Sequence, residues 1–508
     1  MLFRSGVIVA FFTLLSRIFG LARELFIASM FGTTYIADSV NVAFKLPNLF
    51  RRIFGEGALS AVFIPIFNEK LLHSLPEARK VSSAIFALLL FTLTILVILI
   101  EIFMPSMILI LAPGFHARLE KFNLTILLCR ITAPYLIFIS ITALLGGILN
   151  SVNRFAAFAC SPIILSVTII IGTMTLQQYV PSPVAISMAL VIAGILQILF
   201  MLYYIKKANM LFPLTITNIN NKDVRKFLLN MVPATLGSGV HQLNLFISQS
   251  IASFIPGAVS ILSYADRIYQ FPLSIIGATF STILLPELSR VYAANNLTQA
   301  HKIQNKAIRA GLFLSIPASL GIILLSKPII HVIFEHRAFH HEDTVRTAQA
   351  ISVFALGLPA FVLSKIFTSI FYANRNTKTP LKITIYSLTV NTVLNLILML
   401  ALDHVGIALG SSIAAWYNVW LLNKYTRQKY GGGLQTLQKN KIFFLKLATS
   451  CVCMCLVIFA IYHYYYLYFY QDSLMLKALM LLSTIIVGAL VFFLNSIYLG
   501  IYQELWKK

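Results

Sequence analysis

Between residues 16 and 56 an otherwise apolar chain carries Arg17, Arg23, Glu24, Asp38, Lys45, Arg51, Arg52 and Glu56, inside two runs hydrophobic enough to be membrane helices. A charge at the centre of a lipid-facing helix costs about 3 kcal/mol, so these side chains do not face lipid. Asp38, Asn41, Lys45, Asn48, Arg52 and Glu56 recur every three or four residues and form one stripe, flanked by Arg51. On the first helix Arg17 and Glu24 share a face, with Ser16 and Arg23 on the adjacent row, so opposite charges can neutralise one another between rounds of binding. Two helices tied together by polar contacts need one or two pairs, not such a stripe. With cations in excess, the set suits a water-filled or protein-lined interior that receives an anion, and arginine forks match phosphate oxygens. Lys45 and Glu56 are the members that fit a purely structural role best.

A weaker version recurs downstream. Tyr264, Arg267, Gln270, Ser274 and Gly277 follow one helical face, with Asp266 beside Arg267. The segment Ser60-AVFI-Pro65 is echoed by Ser281-TILL-Pro286, each downstream of another proline, Pro47 or Pro272. Such an echo fits a two-lobe transporter built from structural repeats.

The elements that must position these residues are transmembrane helices. The chain has 508 residues, 59% of them hydrophobic and only 11% charged, with a mean hydropathy of +0.86. That composition describes an all-α polytopic membrane protein without a soluble domain. About fourteen apolar segments approach the ~20 residues a spanning helix needs. They lie near 6 to 31, 36 to 68, 82 to 112, 122 to 150, 155 to 179, 182 to 205, 224 to 254, 258 to 292, 304 to 326, 345 to 372, 380 to 402, 405 to 424, 442 to 468 and 474 to 502. Most of the 39 Lys and Arg residues fall at the termini or in the even-to-odd loops, which by the positive-inside rule puts both termini in the cytoplasm. The net charge of +23 therefore reads as juxtamembrane anchoring near anionic headgroups and not as nucleic-acid binding. Arg17 and Arg23 interrupt the first apolar run and no small-residue cleavage site follows it, so it reads as an uncleaved span. Cys129, Cys160, Cys451, Cys453 and Cys455 all sit in apolar spans and read as packed small hydrophobes.

Other signals are slighter. Glu335, His336, Arg337, His340, His341, Glu342 and Asp343 form a loop on the outer face by this topology. His336 and His340 have metal-compatible helical spacing, yet no HExxH accompanies them, and a hydrated loop is the simpler reading. Tyr462 to Tyr470 reads as an interfacial aromatic belt, with contact to a lipid tail as the sharper option. Asn391 and Asn395 could face a cation but lack an acidic neighbour. No metal ligand set or cofactor motif emerges.

The motifs SRIFGLARE, ADSVNVAFKLPNLFRRIFGEGALSAVFIPIF, LAPGF at 111 to 115, NRF at 153 to 155, YADRIYQFP at 264 to 272 and NTKTP at 376 to 380 resemble the MurJ (MviN) lipid II flippases, and the resemblance covers the whole chain. It implies the fold of the multidrug/oligosaccharidyl-lipid/polysaccharide exporter superfamily: an N-lobe over 1 to 223, a C-lobe over 224 to 430, a central cationic cavity, and two C-terminal helices over 431 to 508 forming a groove for the polyprenyl tail. It implies a transporter in the bacterial cytoplasmic (inner) membrane that moves lipid II, undecaprenyl-diphosphate-MurNAc-pentapeptide-GlcNAc, to the outer leaflet for cell-wall synthesis. Arg17, Arg23, Arg51 and Arg267, with Asn48 and Ser16, would contact that substrate. Glu24, Asp38, Lys45, Arg52, Glu56, Asp266 and Gln270 would form the cavity and gate network. Membrane lipids and cell-wall synthesis proteins are the other partners so implied. Gln270 stands where some relatives have Glu, so Asp266 is expected to restrain Arg267 and Gln270→Glu to be tolerated.

Other classes fit less well. A flippase or exporter of another polyprenyl-diphosphate-linked glycan is the nearest alternative. A polyprenyl-phosphate enzyme should present a general base or metal-binding carboxylates in a membrane-edge loop, and no convincing set is found. A drug or cation antiporter of the same superfamily should have an acidic cavity, and a scaffold explains no buried charge.

Overall fold

The computed structural model describes residues 2–50, 60–212, 222–434, 441–468 and 473–506, and within these the secondary structure is entirely helical. Two compact units, Met1–Ser260 and Ile261–Lys508, account for the chain.

In the first unit, α1 (Leu2–Phe31) carries Arg17, Arg23 and Glu24, α2 (Tyr35–Phe50) carries Asp38, Asn41, Lys45 and Asn48 of the stripe, and α3 (Ser60–His73) follows. Then follow α4 (Leu75–Ile102), α5 (Met104–Leu111), a 3-10 turn (Pro113–Ala117), α6 (Leu119–Thr132), α7 (Tyr135–Ser151), α8 (Phe155–Leu176), α9 (Ser182–Lys207) and α10 (Lys222–Ala252). Helix α11 (Ala258–Ala293) opens at the unit boundary. The second unit continues with α12 (Leu297–Leu324), α13 (Ser326–Phe334), α14 (His341–Leu356), α15 (Leu358–Ala373), α16 (Lys378–Tyr430), α17 (Lys441–Tyr468), α18 (Leu474–Tyr498) and α19 (Ile501–Trp506).

Nine stretches among the described residues are long and apolar enough to cross a membrane. One of them, α16, is two arms: Asp403 takes φ 48 and ψ −133, at the gap the apolar pattern leaves between 402 and 405. The arms pack against each other, Ser387 Oγ donating to Ala414 O at 2.9 Å. Gly406 and Gly410 make the approach possible, the small-xxx-small pattern of membrane helix pairs. A Cβ on Gly406 would lie 2.2 Å from Leu398 O, and one on Gly410 2.2 Å from Asn395 Oδ1.

Several expected spans are broken, and the breaks repeat between units. Helices α4 and α12 each run 28 residues, then stop at Phe103 (φ −94, ψ 14) and Leu325 (φ −100, ψ 14). Short helices of 8 and 9 residues follow, α5 and α13. Pro105 and Pro328 sit in their first turns, where a missing N–H is harmless although continuation from the previous helix is disfavoured. The next spans break again, at Ala133–Pro134 before α7 and at Gly357 before Leu358-Pro359 of α15. Both α7 and α15 end in the same turn: Asn153 (φ 61) and Arg375 (φ 55) are left-handed, while Arg154 N donates to Leu149 O and Asn376 N to Phe371 O at 2.8 and 2.9 Å. This is the Schellman geometry, and it gives the NRF and NTKTP motifs a shared structural reason.

Gly406→Ala is expected to destabilise the protein by at least about 1–3 kcal/mol, because the obstacle is backbone that cannot turn aside. Thermal unfolding of the detergent-solubilised variant measures this, and an unchanged midpoint would remove the close-approach account of α16.

Candidate functional site

On α1, Arg17 is exposed, Arg23 half-buried and Glu24 buried. Arg23 Nη2 donates to Glu24 Oε1 at 2.9 Å, so the carboxylate expected opposite Arg17 also binds its immediate neighbour. Ser16 is half-buried and its hydroxyl returns to Thr13 O at 2.8 Å. Lys45 and Asn48 lie half-buried on α2 beside the internal Pro47. Arg51, Arg52 and Glu56 fall outside the described residues.

Asp38 sits where no water reaches it. Its Oδ2 accepts from Lys121 Nζ at 2.7 Å and Gly257 N at 3.1 Å. Its Oδ1 accepts from Ser260 N at 2.9 Å and Ser260 Oγ at 2.7 Å. Because α11 begins at Ala258, the carboxylate caps the N-terminus of that helix, where unpaired N–H groups and the helix dipole both favour an anion. Lys121 is itself buried, with its ammonium 3.7 Å from the centre of the Phe115 ring in the LAPGF segment. The α2–α6 seam continues through Thr125 Oγ1 to Ser39 Oγ at 2.9 Å and Thr132 Oγ1 to Ala43 O at 3.0 Å. Sequence reasoning assigned Asp38 to a cargo network and missed Lys121; its position just after LAPGF, beside Glu120, was the signal to follow.

On α11, Arg267 is exposed and Asp266 half-buried. Gln270 Nε2 donates to Asp266 Oδ2, so Gln270 is the donor to that acid. Gln270→Glu would set two carboxylates against each other, and the tolerance expected from the sequence does not follow. Gly277, further along the same face, meets Lys365 of α15: a Cβ there would be 2.7 Å from Lys365 Cδ and 2.9 Å from its Nζ. Lys365 is exposed in the middle of a membrane helix, a further cation that the sequence reading did not single out. Asn391 and Asn395 are buried between the arms of α16, Ser411 Oγ approaching Asn391 Oδ1 at 3.4 Å.

Two features of the second unit complete the picture. An apolar cavity of about 270 Å³ opens among α12, α17 and α18, lined by residues including Phe313, Pro317, Met454, Ile485 and Phe492. The loop from Glu335 to His340 is ordered around Glu335, whose Oε2 lies 2.8 Å from His331 Nδ1, 3.5 Å from His341 Nδ1 and 2.6 Å from Thr344 Oγ1. Burial pushes the Glu335 carboxyl up, but the Thr344 hydroxyl and the His331 and His341 imidazoles outweigh it and hold it below the usual 4.5. His336 lies in the turn and His340 at the start of α14, so the helical spacing expected of them does not exist. Among the described residues no three His, Cys, Asp or Glu side chains converge as metal ligands.

Comparison with known proteins agrees with this arrangement. The family profile described as lipid II flippase MurJ matches residues 27–480. A probable lipid II flippase MurJ of Rickettsia prowazekii (strain Madrid E) is 60% identical over 492 residues, covering 97% of this chain and 96% of the relative. The lipid II flippase MurJ of Burkholderia cenocepacia is 34% identical, covering 83% of each. A solved lipid II flippase MurJ in an inward closed conformation superposes with a TM-score of 0.81 at 29% identity, over 98% of this chain and 99% of that one. An inward-facing MATE-family transporter of the MOP superfamily, at 14% identity and a TM-score of 0.67 over 86% of this chain and 99% of that one, shares the fold.

Lys121→Met is expected to cost about 3–5 kcal/mol by leaving the Asp38 carboxylate buried without its counter-charge, with much of the loss recovered when Asp38→Asn is added. Chemical denaturation of the single and double variants tests this, and additive losses would refute the pairing. Gln270→Glu and Asp266→Asn should each impair transport, while the double variant restores one donor facing one acceptor and recovers activity; a double variant worse than either single change contradicts the contact.

Proposed function

The chain belongs to the MurJ family of lipid II flippases, and we propose that it moves lipid II across the bacterial inner membrane, from the cytoplasmic to the outer leaflet, for cell-wall synthesis. It is a multi-span helical transporter and not an enzyme. Both termini are assigned to the cytoplasm, and the lobes to 1–223 and 224–430, with 431–508 serving the lipid tail. Cell-wall synthesis proteins are the partners such a flippase would supply.

The observation that carries this reading is the set of cations retained on membrane helices: Arg17 and Arg267 exposed, and Arg23 held by a neighbouring carboxylate. A diphosphate needs several convergent donors, and guanidinium forks bind its oxygens two at a time. Arg17, Arg23, Arg51 and Arg267 take the diphosphate and adjoining groups, with Ser16, Asn48 and Lys365 as polar neighbours. Binding then becomes an exchange. The anion competes with Glu24 for Arg23, and Glu24 takes the guanidinium back as cargo leaves, so the headgroup is held tightly enough to shed water yet can still depart. Lys45, Arg52, Glu56, Asp266 and Gln270 maintain the electrostatic balance around this exchange. Asp38, committed to Lys121 and the start of α11, holds α2, α6 and that helix start together and takes no part in this exchange. The polyprenyl chain, too long to enter the central site, stays in the bilayer or lies along the groove of the C-terminal helices, where an apolar cavity opens among α12, α17 and α18.

Arg17→Ala, Arg23→Ala, Arg51→Ala and Arg267→Ala are each expected to abolish lipid II translocation while the protein still inserts. Accessibility of lipid II in proteoliposomes, together with complementation of flippase-depleted bacteria, provides the measurement; normal function of several of these variants would overturn the assignment.

A further inference from the structure

The His-rich turn that the transport reading does not use is wired to the tail groove. His331, on α13, has its Nδ1 2.8 Å from Glu335 Oε2 and its Nε2 3.4 Å from Lys477 Nζ of α18. An ammonium has only donors to offer, so for this contact to be a hydrogen bond Nε2 must accept, which leaves Nδ1–H to donate to the carboxylate and requires the neutral imidazole. From the other packed elements, His341 of α14 faces the same carboxylate, and Tyr462 of α17 lines the small cavity that His331 and Lys477 share. Leu325 lines both that cavity and the larger groove, so the bridge stands at one end of the groove.

We propose that His331 is a proton-sensitive positioning residue: neutral, it joins Glu335 to Lys477 and holds the start of α18 against α13; protonated, it turns an N–H toward the ammonium and releases that end of the groove wall. Imidazoles change charge between about pH 5 and 8, and like charges a few ångströms apart repel. Glu335 does not produce this response, because its lowered carboxyl stays ionised across that window; its own stabilising contribution is lost only as pH falls through its depressed value, below 4.5. The consequence for transport rests on the groove holding the lipid tail; the bridge itself does not.

The test uses the full-length protein with its five cysteines replaced and with Val332→Cys and Met480→Cys, which line the small cavity on α13 and α18. Disulfide cross-linking is measured with His331 in place and, at each pH, against the same cysteine pair in a protein carrying His331→Gln, a neutral change that can donate and accept. Taking the ratio cancels the pH dependence of thiol chemistry. The ratio is expected to fall at least about threefold between about pH 8 and pH 5, and His331→Lys should cross-link poorly at both. A flat ratio, or a His331→Lys protein that cross-links like His331→Gln, overturns the proposal. Lipid II flipping is then measured over the same pH range. If cross-linking responds while flipping varies identically with and without the His331→Gln change, the bridge stands and the tail-groove assignment is what fails.

Discussion

A carboxylate that water cannot reach must be neutralised by the protein around it, and Asp38 is: Lys121, two backbone N–H groups and a hydroxyl all converge on it. Leaving such a charge unmatched costs several kcal/mol, so α2, α6 and the start of α11 are constrained to meet at one point. The placement of Arg23, Glu24, Lys45 and Asn48 along α1 and α2 inherits that constraint, because a rigid seam beneath α2 sets which face of it remains available. The same rule operates in milder form on α11, where Asp266 is satisfied by Gln270 and Arg267 stays exposed.

The helix breaks follow from a second constraint. A membrane helix can stop within the bilayer only where its loose backbone groups are bonded again. Here the stops at Phe103 and Leu325, and the turns at Asn153 and Arg375, use the same backbone solutions in both units. The breaks at Phe103, Ala133–Pro134 and Gly357 divide their spans into shorter helices, a feature that suits a transporter with two accessible states. Lys365 of α15 reaches Gly277 of α11 in this framework because the glycine leaves room for its stem.

How much of this is legible beforehand depends on the distance over which each feature is encoded. Apolar runs, charge periodicity and proline punctuation are local, so the all-helical membrane fold, the hairpin at residues 402 to 405, the charged stripe and the family motifs can be read directly from the sequence. The bends inside the third, fourth and tenth spans escape that reading, although Pro105, Pro134 and Pro359 mark them, because an unbroken hydropathy signal does not register a local loss of backbone bonding.

The partners of the charges lie beyond local reach. Lys121 is 83 residues from Asp38 and Lys477 is 146 from His331; no periodicity connects residues so far apart, and only packing brings them together. The sequence by itself therefore determined which charges the membrane must accommodate and on which helical faces they lie, since helical geometry and solvation cost act residue by residue. The tertiary structure alone decided that Asp38 is buried and committed to the fold while Arg17 and Arg267 keep solvent exposure, because burial and the donors that meet Asp38 within about 3 Å depend on which helix packs against it.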